Sequence, residues 1–442
     1  MLLAQLDGNI VVAALPSIAA DVNAGTTVAG VLAAYLLTVT VTTPVAGKLG
    51  DVVGRRLVFV GSILVFATGS LACALSDSML ALILARAVQG IGGSGLVVTA
   101  ISSLGELFDK SELVRRQIWL TAIMAISALA GPPLGGFVAT VWGWPAIFFI
   151  NLPVCVVALA IGARGLPATA ARSSLRNFDV AGTALIAVVA SAIVVLGSFD
   201  GLGSSPVWAP GLVTLAVAGT VAFVARERHA SDPLIPPELF ASAVLTKAIT
   251  ATGLSGIALF GTFAFIPLAV IAGTGYGTAA VSAMLIALTG GQLAVTATFS
   301  VVARRYPRMV PWGRLGLAIG VVGLGLMAVV PLLSERSPAV VVALTLVGLA
   351  LSGAALALSM QAFTLLGLTT APRTHLGSAM ATLTFVRQLG GSIGSAAFGW
   401  LLITLPTSPT ALSVVLGLAA LALVVGLALA PGRADESEPS PA

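Results

Sequence analysis

The sequence predicts an all-α polytopic membrane protein, and three observations support this class. Hydrophobic residues make up 58% of the 442 residues and charged residues 8%, against about 25% charged residues in an ordinary soluble domain. The apolar residues form runs of about 20, the length of helix that crosses a bilayer core. The formal charge of +5 comes from basic residues between these runs, which indicates membrane loops rather than a nucleic-acid surface.

Fourteen such runs follow one another along the chain. The predicted spans are 3–20, 27–47, 57–76, 79–101, 117–139, 145–164, 180–198, 208–225, 250–272, 278–302, 311–333, 338–366, 379–403 and 409–430. With a cytoplasmic N-terminus, 18 of the 21 basic residues fall on the cytoplasmic side and only Arg336 falls outside. This positive-inside bias predicts that both termini are cytoplasmic.

The early and late parts of the chain resemble each other. The run LGG at 134–136 recurs at 389–391, and duplicated halves are the usual plan of secondary transporters. Two six-helix halves with an inserted helix pair explain this repeat. The predicted segments are an N-terminal six-helix bundle (1–164), an inserted helix pair with cytoplasmic linkers (165–243), a C-terminal six-helix bundle (244–430) and a disordered cytoplasmic tail (431–442).

Three charged residues lie well inside predicted spans, away from the span ends, where a charge is costly and by default functional. They are Asp7, Arg86 and Arg387. The C-terminal spans hold no acidic residue that could neutralise Arg387, so we expect its guanidinium to meet backbone carbonyls, water or an anionic group. The alternative for Arg86 is an arginine that snorkels to a membrane interface, and the alternative for Arg387 is a purely structural placement.

The loop after the second span reads GKLGDVVGRR. Its glycines permit a tight turn, and Asp51 can accept hydrogen bonds from helix ends or arginines and so hold the cytoplasmic side closed. The alternative is a plain turn that carries positive-inside charge. The predicted cytoplasmic gate consists of Gly47, Asp51, Gly54, Arg55 and Arg56.

The fourth and fifth spans carry the segments RAVQGIGGSG and SALAGPPLGG. Small residues four positions apart let helices approach closely, and proline bends a helix. Generic helix packing is the alternative for the second segment. Its residues of interest are Gly131, Pro132, Gly135 and Gly136.

Together these segments resemble the major facilitator superfamily, and within it the fourteen-helix drug:proton antiporter family of multidrug exporters. The family patterns are G-x-L-x-D-x-x-G-R-R, R-x-x-Q-G-x-G-G and G-P-x-x-G-G. LDGNIVVAALP, from Leu6, resembles the L-D-x-T-x-x-x-x-A-L-P signature with Asn9 in place of Thr, and WGWPAIFFINLPV and FVRQLGGSIG give further support. Three departures are Val52 for a basic residue, Ser127 for a glycine and Pro145 for an arginine.

The resemblance implies a major facilitator fold, with two six-helix bundles plus two inserted helices, 14 transmembrane helices in all. In that fold spans one and four line the same cavity, so that Asp7 and Arg86 can approach each other. Burial and a nearby guanidinium act in opposite directions on the pKa of a carboxyl, which can therefore titrate near neutrality. A proton and a substrate could then compete for Asp7. The alternative is that Asp7 caps the start of a helix.

The resemblance implies a proton-coupled exporter of hydrophobic or cationic drug-like compounds, which works by alternating access in the plasma membrane. A narrow-range exporter of one metabolite, antibiotic, amino acid or lipid is the alternative, and a non-transporting scaffold or receptor is the least favoured. We expect no enzyme activity, cofactor, metal or nucleic-acid partner. The expected partners are a small lipophilic or cationic substrate, protons and the lipid bilayer, with the monomer as the working unit. Candidate cavity residues are Asn9, Gln89, Gln292, Gln361 and Arg387.

Overall fold

The computed structural model describes residues 1–21, 29–166, 179–197, 208–230, 232–263, 278–333, 338–404 and 409–432. Over these ranges the chain is helical and contains no strand, which confirms the predicted all-α class. The predicted tail beyond Gly432, much of the linker after the sixth span and the end of the predicted span 250–272 lie outside the described residues.

The first part of the chain forms seven helices. They are α1 (Leu2–Asp21), α2 (Ala29–Val53), α3 (Arg55–Ala74), α4 (Met79–Leu107), α5 (Lys110–Trp142), α6 (Ala146–Phe149) and α7 (Asn151–Gly165). The short helix α6 and the longer α7 together occupy the predicted sixth span.

Ten more helices follow in the described residues. They are α8 (Val180–Gly197), α9 (Ala209–Glu227), α10 (Glu238–Ala241), α11 (Ala243–Ser255), α12 (Gly261–Phe263), α13 (Thr278–Arg305), α14 (Met309–Val329), α15 (Pro338–Thr370), α16 (Leu376–Thr404) and α17 (Pro409–Leu429). A π-helical segment, Gly256–Phe260, joins α11 to α12.

Local chemistry explains several helix boundaries. Gly54 separates α2 from α3 with a φ of 93°, and Gly143 ends α5 with a φ of 82°, a backbone region that glycine enters at little cost. Ser78 caps α4, because its hydroxyl accepts a hydrogen bond from the amide of Ala81 at 3.3 Å. Such a cap satisfies one of the amides that a helix start leaves free.

Twelve helices in the described part of the chain are long and apolar enough to cross a membrane. They include the first six predicted spans, which confirms a polytopic architecture. Helix α8 lies at the predicted seventh span and counts as a shorter apolar helix, Val180–Leu196. Helix α16 lies at the predicted thirteenth span and is not among the twelve, because Arg387 and many small polar residues interrupt its apolar run. The total of fourteen spans therefore stays a prediction.

The chain forms two compact units. The first contains Met1–Ser191, Thr214–Pro237 and Ala371–Phe385, and the second contains Ala192–Val213, Glu238–Thr370 and Val386–Ala442. Helices α1 to α7 belong to the first unit. The predicted division into two six-helix bundles with an inserted pair remains a prediction.

An ion pair links the ends of α8 and α9 within the first unit. Arg226 Nη2 lies 3.0 Å from Asp179 Oδ1, which also accepts the amide of Gly182 at 2.9 Å. Burial opposes ionisation of Asp179, but these donors outweigh it and hold the pKa of its carboxyl below its ordinary value. The carboxylate of Glu227, the last residue of α9, accepts the backbone amides at positions 234 and 235, so α9 holds the segment that follows it.

Candidate functional site

Helix α4 packs closely against two neighbours because its glycines carry no side chain. A Cβ atom at Gly90 would lie 2.7 Å from the carbonyl oxygen of Tyr35 in α2. At Gly92 it would overlap the backbone of Phe66 in α3. Small residues permit this kind of backbone approach between membrane helices. The glycines of the RAVQGIGGSG segment therefore bring the polar side chains of α4 within reach of other helices.

The side chains of Asp7, Ser70, Arg86, Gln89 and Asn151 form a buried group that we call the Asp7 cluster. Asp7 is 2% exposed and Arg86 is fully buried, and Arg86 Nη1 lies 2.5 Å from Asp7 Oδ2. The other carboxylate oxygen, Oδ1, accepts Gln89 Nε2 at 2.9 Å and Asn151 Nδ2 at 2.8 Å. Both amides also donate to Ser70 Oγ, at 3.1 and 3.0 Å. The cluster thus joins α1, α3, α4 and α7.

Asp7 lies in the second turn of α1, which begins at Leu2. Its carboxylate contacts side chains of other helices rather than acting as a cap at the helix start. The approach of Asp7 to Arg86, expected from the sequence, is present in the structure. A carboxylate with three side-chain donors, one of them a guanidinium, is well satisfied in its charged form.

Aromatic rings surround the guanidinium of Arg86. Its Cζ atom lies 4.2 Å from the centre of the Tyr35 ring and 5.8 Å from that of Phe148. Such cation–π contacts favour the charged form of arginine. The Nη2 atom of Arg86 has no hydrogen-bond partner among the described residues. The cluster therefore has one donor free for another acceptor.

Three members of this environment were not among the residues selected from the sequence. Asn151 lies in the segment INLP and Ser70 in α3, and Tyr35 donates its hydroxyl to the carbonyl of Ala4 at 3.2 Å. Asn151 could have been selected, because it is an isolated amide within an apolar span. Ser70 carries no comparable signal, since serine is common in membrane helices and its importance depends on its neighbours.

Helix α1 is held against α5 by two of the selected glycines. At Gly131 a Cβ atom would lie 2.5 Å from the Cβ atom of Asn9, and at Gly135 it would overlap the carbonyl oxygen of Ile10. Gly136 has open space where its Cβ would stand, and Pro132 is exposed. The side chain of Asn9 donates to the carbonyl of Gln5 at 3.0 Å rather than to the Asp7 cluster.

This difference between adjacent glycines makes a prediction about α1, the helix that carries Asp7. Gly135→Ala should push α1 away from α5 and destabilise the fold by about 1–3 kcal/mol, the usual cost of overpacking. Gly136→Ala should leave stability and transport near the wild-type values. Thermal unfolding in detergent and transport at equal expression would compare the two variants. Equal behaviour of both would show that the α1–α5 contact is loose.

A second polar group, the Asp51 cluster, comprises Asp51, Arg55, Glu106, Gly377 and Ser378. Asp51 Oδ1 accepts the amide of Gly377 at 2.8 Å, and Oδ2 accepts the amide of Ser378 at 2.7 Å and its hydroxyl at 2.8 Å. These amides belong to the first turn of α16, where the helix dipole favours a negative charge. Arg55 pairs with Glu106 at 2.5 Å and lies 3.5 Å from Asp51.

The other residues of this loop have different surroundings. A Cβ atom at Gly47 would overlap the side chain of Ala381 in α16, so this glycine permits the approach on which Asp51 depends. Lys48 is buried and pairs with Asp232, in the segment after α9. Arg56 is half-buried and forms no ion pair with the described residues.

The remaining cavity candidates lie in the second unit. Gln361 is buried and donates to Thr296 Oγ1 at 3.4 Å. Gln292 is half-buried on α13, beside Gly353 of α15. Arg387 is 6% exposed on α16. Within the described ranges, no three His, Cys, Asp or Glu side chains lie together in a way that could hold a metal ion.

Apolar helices of membrane-spanning length, with an ion pair buried among them, define a multi-pass membrane protein with an ionisable site inside its helices. The chain belongs to the Major Facilitator Superfamily, because the model of that family matches residues 1–395.

Relatives in three bacteria resemble most or part of the chain. An uncharacterized MFS-type transporter of Mycobacterium tuberculosis is 34% identical over 91% of this chain and 58% of its own length. The multidrug transporter protein MdtP of Bacillus subtilis is 34% identical over 60% of this chain and 50% of its own. The tetracenomycin C resistance and export protein of Streptomyces glaucescens is 29% identical over 91% of this chain and 74% of its own. The chain thus spans between half and three fifths of the length of the first two.

Solved structures share the fold at low sequence identity. The human organic anion transporter MFSD10 is 16% identical, with a TM-score of 0.69 over 97% of this chain and 96% of its own. A bacterial homologue of the iron transporter ferroportin, in an outward-facing state, is 15% identical with a TM-score of 0.67 over the same shares. These matches agree with the predicted major facilitator fold.

Proposed function

We propose that the chain is a proton-coupled exporter of hydrophobic or cationic drug-like compounds, which works by alternating access in the plasma membrane. The names of MdtP and of the tetracenomycin exporter support export of small molecules. The observation that carries the proposal is the Asp7 cluster, in which a carboxylate inside a membrane helix pairs with a buried guanidinium. An ionisable pair at this depth is the usual basis of a proton relay in transporters.

The net charge of Asp7 and Arg86 provides a way for the cluster to couple protons to substrate. With Asp7 ionised, the charges of Asp7 and Arg86 cancel. A proton on Asp7 leaves the cluster with a net positive charge in a medium of low dielectric constant, where like charges repel strongly. A cationic substrate and a proton therefore exclude each other at this site. Binding of one favours release of the other, as antiport requires.

Protonation also changes the hydrogen bonds of Asp7. Both carboxylate oxygens accept donors in the ionised form, so a protonated Asp7 has to turn its new O–H towards an acceptor. The acceptors within the cluster are the hydroxyl oxygen of Ser70 and the amide oxygens of Gln89 and Asn151, and that of Gln89 already accepts Arg86 Nη1 at 2.6 Å. Because the cluster joins four helices, such a rearrangement can alter how they pack. The membrane potential adds driving force, since one charge moving through 100 mV is worth about 2.3 kcal/mol.

The Asp51 cluster supplies the gate in this proposal. Its carboxylate holds the first turn of α16 against the last turn of α2, next to the turn at Gly54 that leads into α3. On the orientation expected from the positive-inside bias, this turn and both termini are cytoplasmic. We further propose the six-plus-two-plus-six arrangement of helices and a working monomer.

The second candidate is a narrow-range exporter, and the tetracenomycin relative favours it because its printed name specifies one compound. The two candidates differ in how many unrelated compounds the protein moves. Export of a single scaffold from a chemically diverse panel would favour the narrow-range function.

Transport into inverted vesicles with an imposed pH gradient would test the proposed function. A lipophilic cationic dye should accumulate while the gradient lasts, and a protonophore should stop this accumulation. Accumulation that is independent of the gradient would remove the claim of proton coupling, and vesicles without the protein give the background.

A further inference from the structure

Arg387 is a buried cation for which the described residues provide no counter-ion. Its side chain is 6% exposed within α16, and it forms no hydrogen bond or ion pair with the residues that the structure describes. Arg86, the other arginine inside a predicted span, is equally enclosed but pairs with Asp7. Among the described residues, the buried arginine of the first unit therefore has an acidic partner and that of the second unit does not.

The sequence around Arg387 offers no acidic partner. Between Leu239 and Gly432 the one acidic residue is Glu335, which lies between the predicted spans 311–333 and 338–366. Neutral groups can solvate a guanidinium, but a full charge in a low-dielectric interior is stabilised chiefly by an opposite charge. Residues 239–432 therefore offer no counter-ion for Arg387 at this depth, and a bound anion would supply one.

Tight packing fixes the position of Arg387. A Cβ atom at Gly256, the first residue of the π-helical segment, would overlap the backbone of Arg387. One turn further along α16, a Cβ atom at Gly390 would overlap the carbonyl oxygen of Gly253. The backbone of α16 is therefore pressed against α11 and the π-helical segment. Segments of this kind often mark functional sites, and close packing of this kind suits a binding residue that must be held in place.

The residue beside Arg387 also has an unused polar atom. Gln388 Oε1 is buried and has no hydrogen-bond partner among the described residues. Buried polar atoms are nearly always paired, and each exception calls for an explanation. Two successive residues of α16 thus have bonding capacity that their described surroundings do not use.

We propose that Arg387 binds the anionic group, most simply a carboxylate, of an amphipathic substrate. This inference rests on the proposed export function and adds carboxylate-bearing compounds to its substrate range. A guanidinium can donate two parallel hydrogen bonds to a carboxylate, and the bound substrate would supply the counter-ion that the described residues do not provide. Compounds without an anionic group would bind without using Arg387.

A pair of dyes that differ in one group would test this site. The first is a rhodamine with a free carboxylate, and the second is the methyl ester of the same dye. Equilibrium binding to purified protein in detergent, followed by fluorescence polarisation, measures each affinity without proton coupling. Arg387→Gln should weaken binding of the free acid about tenfold or more, the equivalent of losing a charge-assisted hydrogen bond, and change binding of the ester less than twofold.

Two further variants sharpen the comparison. Arg387→Lys keeps the charge but loses the paired donors, so its affinity for the free acid should fall between those of the wild type and Arg387→Gln. Arg314 lies in the same unit and donates to the carbonyl of Ala430 at 3.2 Å. Arg314→Gln serves as the matched control and should alter the affinity of neither dye.

Thermal unfolding separates a binding role from a structural one. Removing a buried charge that has no partner should not lower the melting temperature, so a clear decrease for Arg387→Gln would overturn the proposal. Equal affinity of wild type and Arg387→Gln for the free acid, including no binding by either, would overturn it as well. Gradient-driven export of the ester by Arg387→Gln would show that the exporter function stands even where the anion site fails.

Discussion

Replacing Asp7 with asparagine should abolish proton-driven efflux of a cationic dye, reducing it to the background of vesicles without the protein. Asparagine has nearly the same shape as aspartate but cannot ionise, so the site loses both its exchangeable proton and its attraction for a cation. Downhill exchange of a neutral substrate should persist, because that process needs no titration. Dye accumulation and its pH dependence would be compared at equal expression.

The structure adds a control to this experiment. Asp7→Asn leaves the buried guanidinium of Arg86 without its counter-ion, and breaking a buried ion pair in this way typically costs about 3–5 kcal/mol. The double variant Asp7→Asn with Arg86→Gln is neutral at both positions and should unfold at a higher temperature than Asp7→Asn. It should still show no proton-driven efflux. Asp7→Glu keeps a titrating group and should retain partial activity.

Two outcomes would contradict this role for Asp7. Export of the dye against its gradient by Asp7→Asn at the wild-type rate would place the coupling elsewhere. Gradient-driven efflux by the neutral double variant would show that the pair matters for folding alone.

Replacing Asp51 with alanine should reduce the transport rate at least about tenfold while the protein remains in the membrane. The substitution removes three hydrogen bonds to a charged group, each worth about 1.5–3 kcal/mol, and a rate falls tenfold for about 1.4 kcal/mol. These hydrogen bonds stabilise the conformation in which Asp51 holds α16, so their removal destabilises that conformation. The balance between conformations should therefore shift away from that state.

Asp109→Ala provides the matched control for Asp51→Ala. Asp109 also pairs across the chain, with Arg373 at 3.5 Å, but both side chains are largely exposed, and exposed ion pairs contribute little. Its transport rate should stay near that of wild type. Wild-type transport by well-expressed Asp51→Ala protein would show that the loop is only a charged turn.

The sequence predicted the helical class and the positions of the helices well, because an apolar run of about 20 residues is a local property. It also predicted that Asp7 and Arg86 would meet, through the resemblance to a family whose first and fourth spans share a cavity. Composition alone could not have predicted this contact, since 79 positions separate the two residues. The exact number of spans is harder to predict from hydrophobicity, because a helix such as α16 mixes apolar and small polar residues.

The identity of the partners depended on tertiary structure. Asn151 and Ser70 complete the Asp7 cluster only because α3 and α7 turn these faces towards α1. The partners of Asp51 are chiefly backbone amides of Gly377 and Ser378, and sequence motifs say nothing about an amide that any residue could supply.

The two adjacent glycines of α5 also differ in a way that the sequence does not reveal. Gly135 and Gly136 look equivalent in the sequence, yet one lies against the backbone of Ile10 and the other faces open space. Successive residues of a helix point about 100° apart, so the rotation of α5 about its axis decides which glycine matters. Hydrophobicity along the chain determined that these segments would be membrane helices. Their rotation and register, set by side-chain packing between helices, decided which polar groups meet.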